Sequence, residues 1–196
     1  MLRGVLNTYM TLMLTIFLVA CGDEEEGSEG ATTTTQGWHF QGRDCLACHN
    51  VDLTDERHLL IGGTVFKSAS IANKDDLTQV CGGEIVVKLL DSNGVIAVSS
   101  QDNDQNSKGY KGKGNLFFLA RSIGSIAAGA YTVMIFDANN TLVASSNALS
   151  HQFTSDPYDI NNAKNYANRI ACNSCHNTTG GDVAPIYANI NPSACK

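Results

Sequence analysis

Two five-residue segments with the same pattern, C-x-x-C-H, constrain this chain of 196 residues more than any other feature. One lies at 45–49 (CLACH) and the other at 172–176 (CNSCH). This pattern is the attachment signature of c-type haem. Two thiols one helical turn apart can each bond one vinyl group of a single porphyrin, and the histidine that follows can donate a ring nitrogen to the iron. The sequence therefore predicts two covalently attached haems.

The motifs assign a role to six side chains. The residues predicted to form thioethers are Cys45, Cys48, Cys172 and Cys175. The residues predicted to be proximal iron ligands are His49 and His176. A structural zinc site is a weaker interpretation, because zinc ribbons separate their cysteine pairs by roughly 15–20 residues. A thioredoxin-like dithiol is also disfavoured, because it needs a neighbouring β-α-β pattern and does not explain the two histidines.

The first 21 residues read as an export signal. Arg3 supplies a positive charge, and residues 10–20 (MTLMLTIFLVA) form an apolar run that suits a signal-peptide core and is too short to span a bilayer. The run ends in LVAC, which resembles a bacterial lipobox with Cys21 as the lipidated residue. A plain secretory peptide is the alternative. Gly22, rather than an aspartate, predicts an outer-membrane lipoprotein, periplasmic or exposed at the cell surface.

Residues 22–36 (GDEEEGSEGATTTTQ) contain no large apolar side chain, so they predict a disordered acidic tether. Subtracting its five acids from the 19 in the chain, and Arg3 from the 13 bases, leaves 14 acids and 12 bases in the remainder. The remainder has no excess of basic residues, so its charge does not suggest nucleic acid as a partner. The remainder is long enough for one domain with a modest core.

Two of the seven cysteines remain after the haem and lipid assignments, namely Cys81 and Cys195. Export places the chain in an oxidising compartment, which favours a disulfide between them. Such a bond closes a loop of more than a hundred residues and would stabilise the fold by roughly 3–5 kcal/mol. Two unpaired thiols, or a bridge to a partner, remain as alternatives.

The sixth iron ligands are left open by the sequence. Met134 is the one methionine outside the signal peptide, and it lies in a predicted buried strand where core packing is its expected role. The candidate distal ligands are His39, His58 and His151. His39 and His58 are close in sequence to the first motif and rank slightly ahead of His151, which lies on the apolar side of a predicted strand. Histidine at both axial positions favours a lower reduction potential than histidine with methionine.

Short β-rich segments with turn signals between them fill the middle of the chain, which predicts a mainly β fold with a Greek-key β-sandwich. The predicted strands are 61–66, 84–90, 115–120, 131–136 and 141–144. Helix is expected around the haem motifs, especially over 161–172. The sandwich would occupy 61–153, flanked by a small helical and loop region for the haems that is built from both ends of the chain, 37–60 and 154–196.

The same segments carry a resemblance. Residues 63–66 (GTVF), 86–94 (VVKLLDSNG), 114–119 (GNLFFL) and 129–137 (GAYTVMIFD) resemble the carboxypeptidase-regulatory-like domain, a small transthyretin-like sandwich. With HFQGRDC at 39–45, the layout is also similar to dihaem cytochrome lipoproteins of metal-reducing and related bacteria. The tail differs from that family's usual A-P-G-R-I. The resemblance implies electron transfer in the outer envelope or at the cell surface, and no peptidase activity.

Three functional classes follow from these observations. The first is a non-enzymatic electron carrier with two c-type haems, whose partners are redox proteins or extracellular electron acceptors and whose membrane contact is the lipid. The second is a dihaem enzyme such as a peroxidase, in which one iron keeps an open site. The third is a subunit of a haem-lined homopolymer. The electron carrier is favoured, because the chain shows no nucleophilic or acid–base constellation. Both haems are expected in one mini-domain at one end of the sandwich.

Overall fold

A computed structural model describes residues 41–74, 76–103, 114–154, 170–177 and 183–195. Within these ranges the chain forms eight strands and three short α-helices. The strands are β1 (Leu59–Thr64), β2 (Ile85–Leu90), β3 (Ile96–Ser99), β4 (Asn115–Leu119), β5 (Gly129–Asp137), β6 (Leu142–Ser145), β7 (His151–Phe153) and β8 (Ile170–Ala171). The helices are α1 (Cys45–His49), α2 (Ala120–Ile123) and α3 (Cys172–Cys175). The predicted mainly β fold is confirmed.

The strands form two sheets. The first has the order β4-β1-β8, with β4 antiparallel and β8 parallel to β1. The second has the order β3-β2-β5-β6, and β7 pairs with the beginning of β5. One continuous core contains residues of both sheets, for example Leu60 and Phe118 from the first and Val87 and Ile135 from the second. Burying β-branched and aromatic side chains from both sheets in one cluster is the main stabilising contribution to the fold.

Turn chemistry explains where the central strands end. After β2, the Asp91 carboxylate accepts hydrogen bonds from the backbone N–H groups of Asn93 and Val95, and Gly94 adopts a φ of 74°. After β5, the Asp137 carboxylate accepts from Asn139 and Thr141 in the same way. These bonds hold the pKa of both aspartates below the ordinary value. The sequence carries turn signals at both places, DSNG at 91–94 and DANN at 137–140.

The structure contains two strands that the sequence did not predict, β3 and β8, and it differs from one predicted helix. Strand β3 is a short edge strand that begins with the exposed residue Ile96, so its sequence shows little alternation of apolar and polar side chains. Most of the helix predicted over 161–172 lies outside the described residues, at 161–169. Its last part is wrong, because Ile170 and Ala171 form β8 and pair with Ile61 and Gly62. A long-range partner decides the conformation there, and local propensity does not.

The C-terminal segment fastens the two sheets together. Phe66, two residues beyond β1, donates its N–H to Ile186 O and accepts from Ala188 N. Further on, the Asn189 amide exchanges two hydrogen bonds with the backbone of Ser145 in β6. The tail therefore runs between the end of β1 and the edge of the second sheet. No helix in the described part of the chain is long and apolar enough to cross a membrane.

Candidate haem-attachment site

The first C-x-x-C-H motif coincides with α1. Asp44 caps this helix, since its carboxylate accepts hydrogen bonds from the N–H groups of Leu46 (3.0 Å) and Ala47 (3.1 Å). Leu46 is fully buried and fixes the helix against β1. A single helical turn separates Cys45 from Cys48, so both sulfurs project from the same side of the helix. The motif therefore has the geometry for two thioethers to one porphyrin.

The second motif coincides with α3, which begins directly after β8. The parallel pairing of β8 with β1 delivers Cys172 to the edge of the first sheet. The Cys172 thiol is half-buried, whereas Cys175 is exposed. Asn173, between them, is buried with 3% of its surface exposed. Strand β8 therefore positions the second motif.

The two histidines predicted to be proximal ligands, His49 and His176, have the same backbone contact. His49 Nδ1 lies 2.9 Å from Arg57 O, and His176 Nδ1 lies 2.8 Å from Ala184 O. Each carbonyl belongs to the residue eight positions after its histidine. A carbonyl partner assigns the proton to Nδ1, which leaves Nε2 with the lone pair that a metal requires. The residues present at both motifs thus fit haem iron. Ala184 is the first residue of the APIY segment at 184–187, which is where the tail differs from A-P-G-R-I, so this contact gives that segment a role.

Two adjacent glycines in β1 allow both motifs to approach this strand. A Cβ on Gly62 would lie 2.9 Å from Leu46 Cδ1 and 3.0 Å from Cys45 Cβ. A Cβ on Gly63 would lie 2.7 Å from Cys172 Cβ. Neighbouring residues of one strand therefore accommodate the two motifs. Glycine inside a strand is the sequence signal by which such a close approach could have been found.

Two buried asparagines attach the motifs to β1, and neither was singled out by the sequence. Asn50, directly after His49, donates to Leu59 O (2.8 Å) and accepts from Leu59 N (2.7 Å). Asn173 accepts from Thr64 N (3.1 Å) at the other end of the strand. An asparagine side chain can satisfy a backbone donor and a backbone acceptor together. These bonds tie the residue after the first motif to the beginning of β1 and the second motif to its end.

Burial keeps the first thiol of each motif protonated. It raises the pKa of Cys45 to about 12, with a smaller contribution from the charge of Asp44. It also raises the pKa of Cys172 to about 12, and the neighbouring Cys45 adds to the shift. The thiolate is the reactive form in oxidation and disulfide exchange. Both thiols therefore exchange slowly with other thiols.

The second cysteines of the two motifs differ. Cys175 is a free thiol. Cys48 is disulfide-bonded. The thioether predicted for Cys48 would need this sulfur free.

Of the three candidate distal ligands, His151 lies beside a proximal histidine. Its ring is stacked on that of His176, with ring centroids 6.3 Å apart and ring planes that differ by 18°. Ser150 Oγ lies 3.1 Å from His151 Nδ1, which again leaves Nε2 for a metal. Burial, and secondarily His176, lower the pKa of His151, so the neutral, ligating form is favoured.

The other candidates are placed differently. His58 is 6% exposed, and its Nε2 lies 3.2 Å from Leu53 O. That nitrogen is engaged with the backbone of the loop after the first motif. His39 and the lipobox Cys21 lie outside the described residues. Met134 is half-buried within β5, opposite Lys88 of β2.

The two remaining cysteines are joined to each other. Cys81 and Cys195 form a disulfide whose Cα atoms are 4.8 Å apart. Both residues are buried, and both sulfurs lie near the Phe66 carbonyl. The bond secures the tail that supplies Ala184 to the second motif.

Comparisons with known proteins give no family. No family model, no curated protein and no solved structure matches this chain. Among the described residues, no three His, Cys, Asp or Glu side chains are grouped as a metal-ion site. A haem iron takes its equatorial ligands from the porphyrin, so at most two protein ligands are needed.

Proposed function

We propose that this chain is a dihaem c-type cytochrome that carries electrons. The observation that supports it most strongly is that both C-x-x-C-H motifs pack on β1, at Gly62 and Gly63, and contact each other, with Asn173 Nδ2 4.0 Å from Cys45 Sγ. Motifs at opposite ends of the sequence become neighbours, which is what electron exchange between two haems on one chain requires. When bound, each haem supplies a one-electron iron couple.

The chain's own side chains hold and orient the two groups in this proposal. Cys45 and Cys48 bind one haem, and Cys172 and Cys175 bind the other. The Arg57 and Ala184 carbonyls engage Nδ1 of His49 and His176, respectively, which would leave Nε2 of each ring for an iron. His151 is the distal ligand of the second haem. His39 and His58 remain the candidates for the first.

The scaffold is proposed to be a Greek-key sandwich of the carboxypeptidase-regulatory-like kind. The shared core of the two sheets supports this arrangement. The signal segment, Cys21 and Gly22 support an outer-membrane lipoprotein at the periplasmic or cell-surface side. Its partners would be redox proteins or extracellular electron acceptors.

A redox titration of the purified protein with carbon monoxide tests the electron-carrier assignment. We expect two reversible one-electron reductions and no carbon monoxide binding, because histidines occupy the distal positions. Hydrogen peroxide should not be consumed. Carbon monoxide binding to one haem per chain, together with peroxide turnover, would instead assign a dihaem peroxidase.

A further inference from the structure

Asn173 has contacts that its place in the second motif does not require. The two variable positions of C-x-x-C-H make no bond to haem, yet the side chain of Asn173 is buried. At the equivalent position of the first motif, the fully buried Leu46 packs by apolar contact alone. The two motifs thus differ in how they are held. Burying an amide is favourable only when its donors and acceptor are satisfied.

The partners of Asn173 belong to the other haem-attachment segment and to β1. Its Nδ2 donates to Arg43 O (2.8 Å), two residues before Cys45. The same nitrogen lies 3.3 Å from Thr64 Oγ1 and 4.0 Å from Cys45 Sγ. Its Oδ1 accepts from Thr64 N (3.1 Å). One side chain therefore bonds the second motif to the backbone that leads into the first.

Thr64 brings the segment before α1 into the same group of hydrogen bonds. Its hydroxyl oxygen also accepts from Gly42 N (3.1 Å), and Thr64 itself is 1% exposed. The chain before α1, the end of β1 and the first turn of α3 therefore meet at Thr64 and Asn173. Buried hydrogen-bond networks of this kind specify a single arrangement of the elements that they join.

We propose that Asn173 is a positioning residue that fixes the second haem-attachment segment against the first, and so sets the relation between the two haems. The haem part of this inference rests on the proposed function. Leucine at position 173 would keep a similar volume while removing every hydrogen bond. The segment before Cys45 would then lose its link to α3, while all thioether and axial residues stay in place.

The test compares Asn173→Leu with two control variants in the full-length protein. Ser174→Ala changes the exposed neighbour in the same motif. Asn50→Leu removes a buried asparagine whose side chain bonds to Leu59 within the first segment. Three quantities are measured: haem content, the exciton splitting of the Soret band in circular dichroism, and amide hydrogen exchange over residues 42–47.

For Asn173→Leu we expect two haems, loss of the Soret splitting, and faster exchange over 42–47. Ser174→Ala should match the parent in all three quantities. Asn50→Leu should change exchange around the first motif and keep the Soret splitting. Parent-like splitting and exchange in Asn173→Leu would overturn the inference.

Two further outcomes are also decisive. If Asn173→Leu does not accumulate, Thr64→Val removes only the shared hydroxyl and should shift both readouts in the same direction by less. Parent-like values in that variant would then overturn the inference. If the parent itself carries fewer than two haems, the proposed function fails, and the exchange measurement alone still decides the role of Asn173.

Discussion

Replacing Cys81, Cys195 or both by alanine should lower the free energy of unfolding by about the same amount in all three variants, roughly 4–5 kcal/mol. The bond joins residues separated by 114 positions, so its absence restores a large loop entropy to the unfolded chain. Denaturant unfolding followed by far-ultraviolet circular dichroism measures the change. A single substitution already breaks the bond, and the second therefore adds only a small packing loss.

The comparison of single and double variants is the control for this prediction. Two buried cysteines that shared no bond would give packing losses that add in the double variant. Additive losses of about 1 kcal/mol each would therefore contradict the structural role given to this disulfide. Equal losses in the singles and the double would support it.

His151→Ala should open the second haem to carbon monoxide. Removing the imidazole takes away the distal ligand proposed for that iron, so the reduced variant should bind one carbon monoxide more per chain than the parent. The change is read from the visible spectrum of the ferrous protein during titration. His151 lies only 6.3 Å from His176, ring centre to ring centre, which is the basis for the expectation.

Gln152→Ala is the matched control, because Gln152 is the exposed next residue of β7. It should bind no more carbon monoxide than the parent. If His151→Ala also behaves like the parent, then His151 is an ordinary half-buried histidine and another side chain completes the second iron.

Local signals in the sequence predicted the attachment motifs and the turns better than their surroundings, and the haem itself stays a prediction. The spacing of Cys, Cys and His within five residues is complete in itself, because one helical turn determines the geometry. The turns at Asp91 and Asp137 are equally local, since each side chain bonds to backbone a few residues on. The pairing of Cys81 with Cys195 followed from counting cysteines, and the structure contains that bond.

The features that the sequence did not reveal depend on contacts between distant residues. Asn173 and Arg43 are 130 positions apart, and β8 exists only because β1 is beside it. The sequence ranked His151 below His58, and β7 places His151 beside His176 of the second motif, while His58 Nε2 lies 3.2 Å from Leu53 O. A single sequence contains no register between such segments. Which histidines are axial ligands stays a prediction.

The intact mass of the mature protein counts its covalent haems. We expect two per chain, with a loss of one in a Cys45/Cys48 double-alanine variant and of the other in a Cys172/Cys175 double-alanine variant. Tandem mass spectrometry would assign each haem to its motif. It would also show whether Cys48 carries a thioether or remains in a disulfide. A mature parent chain with no haem or only one would overturn the assignment as a dihaem cytochrome.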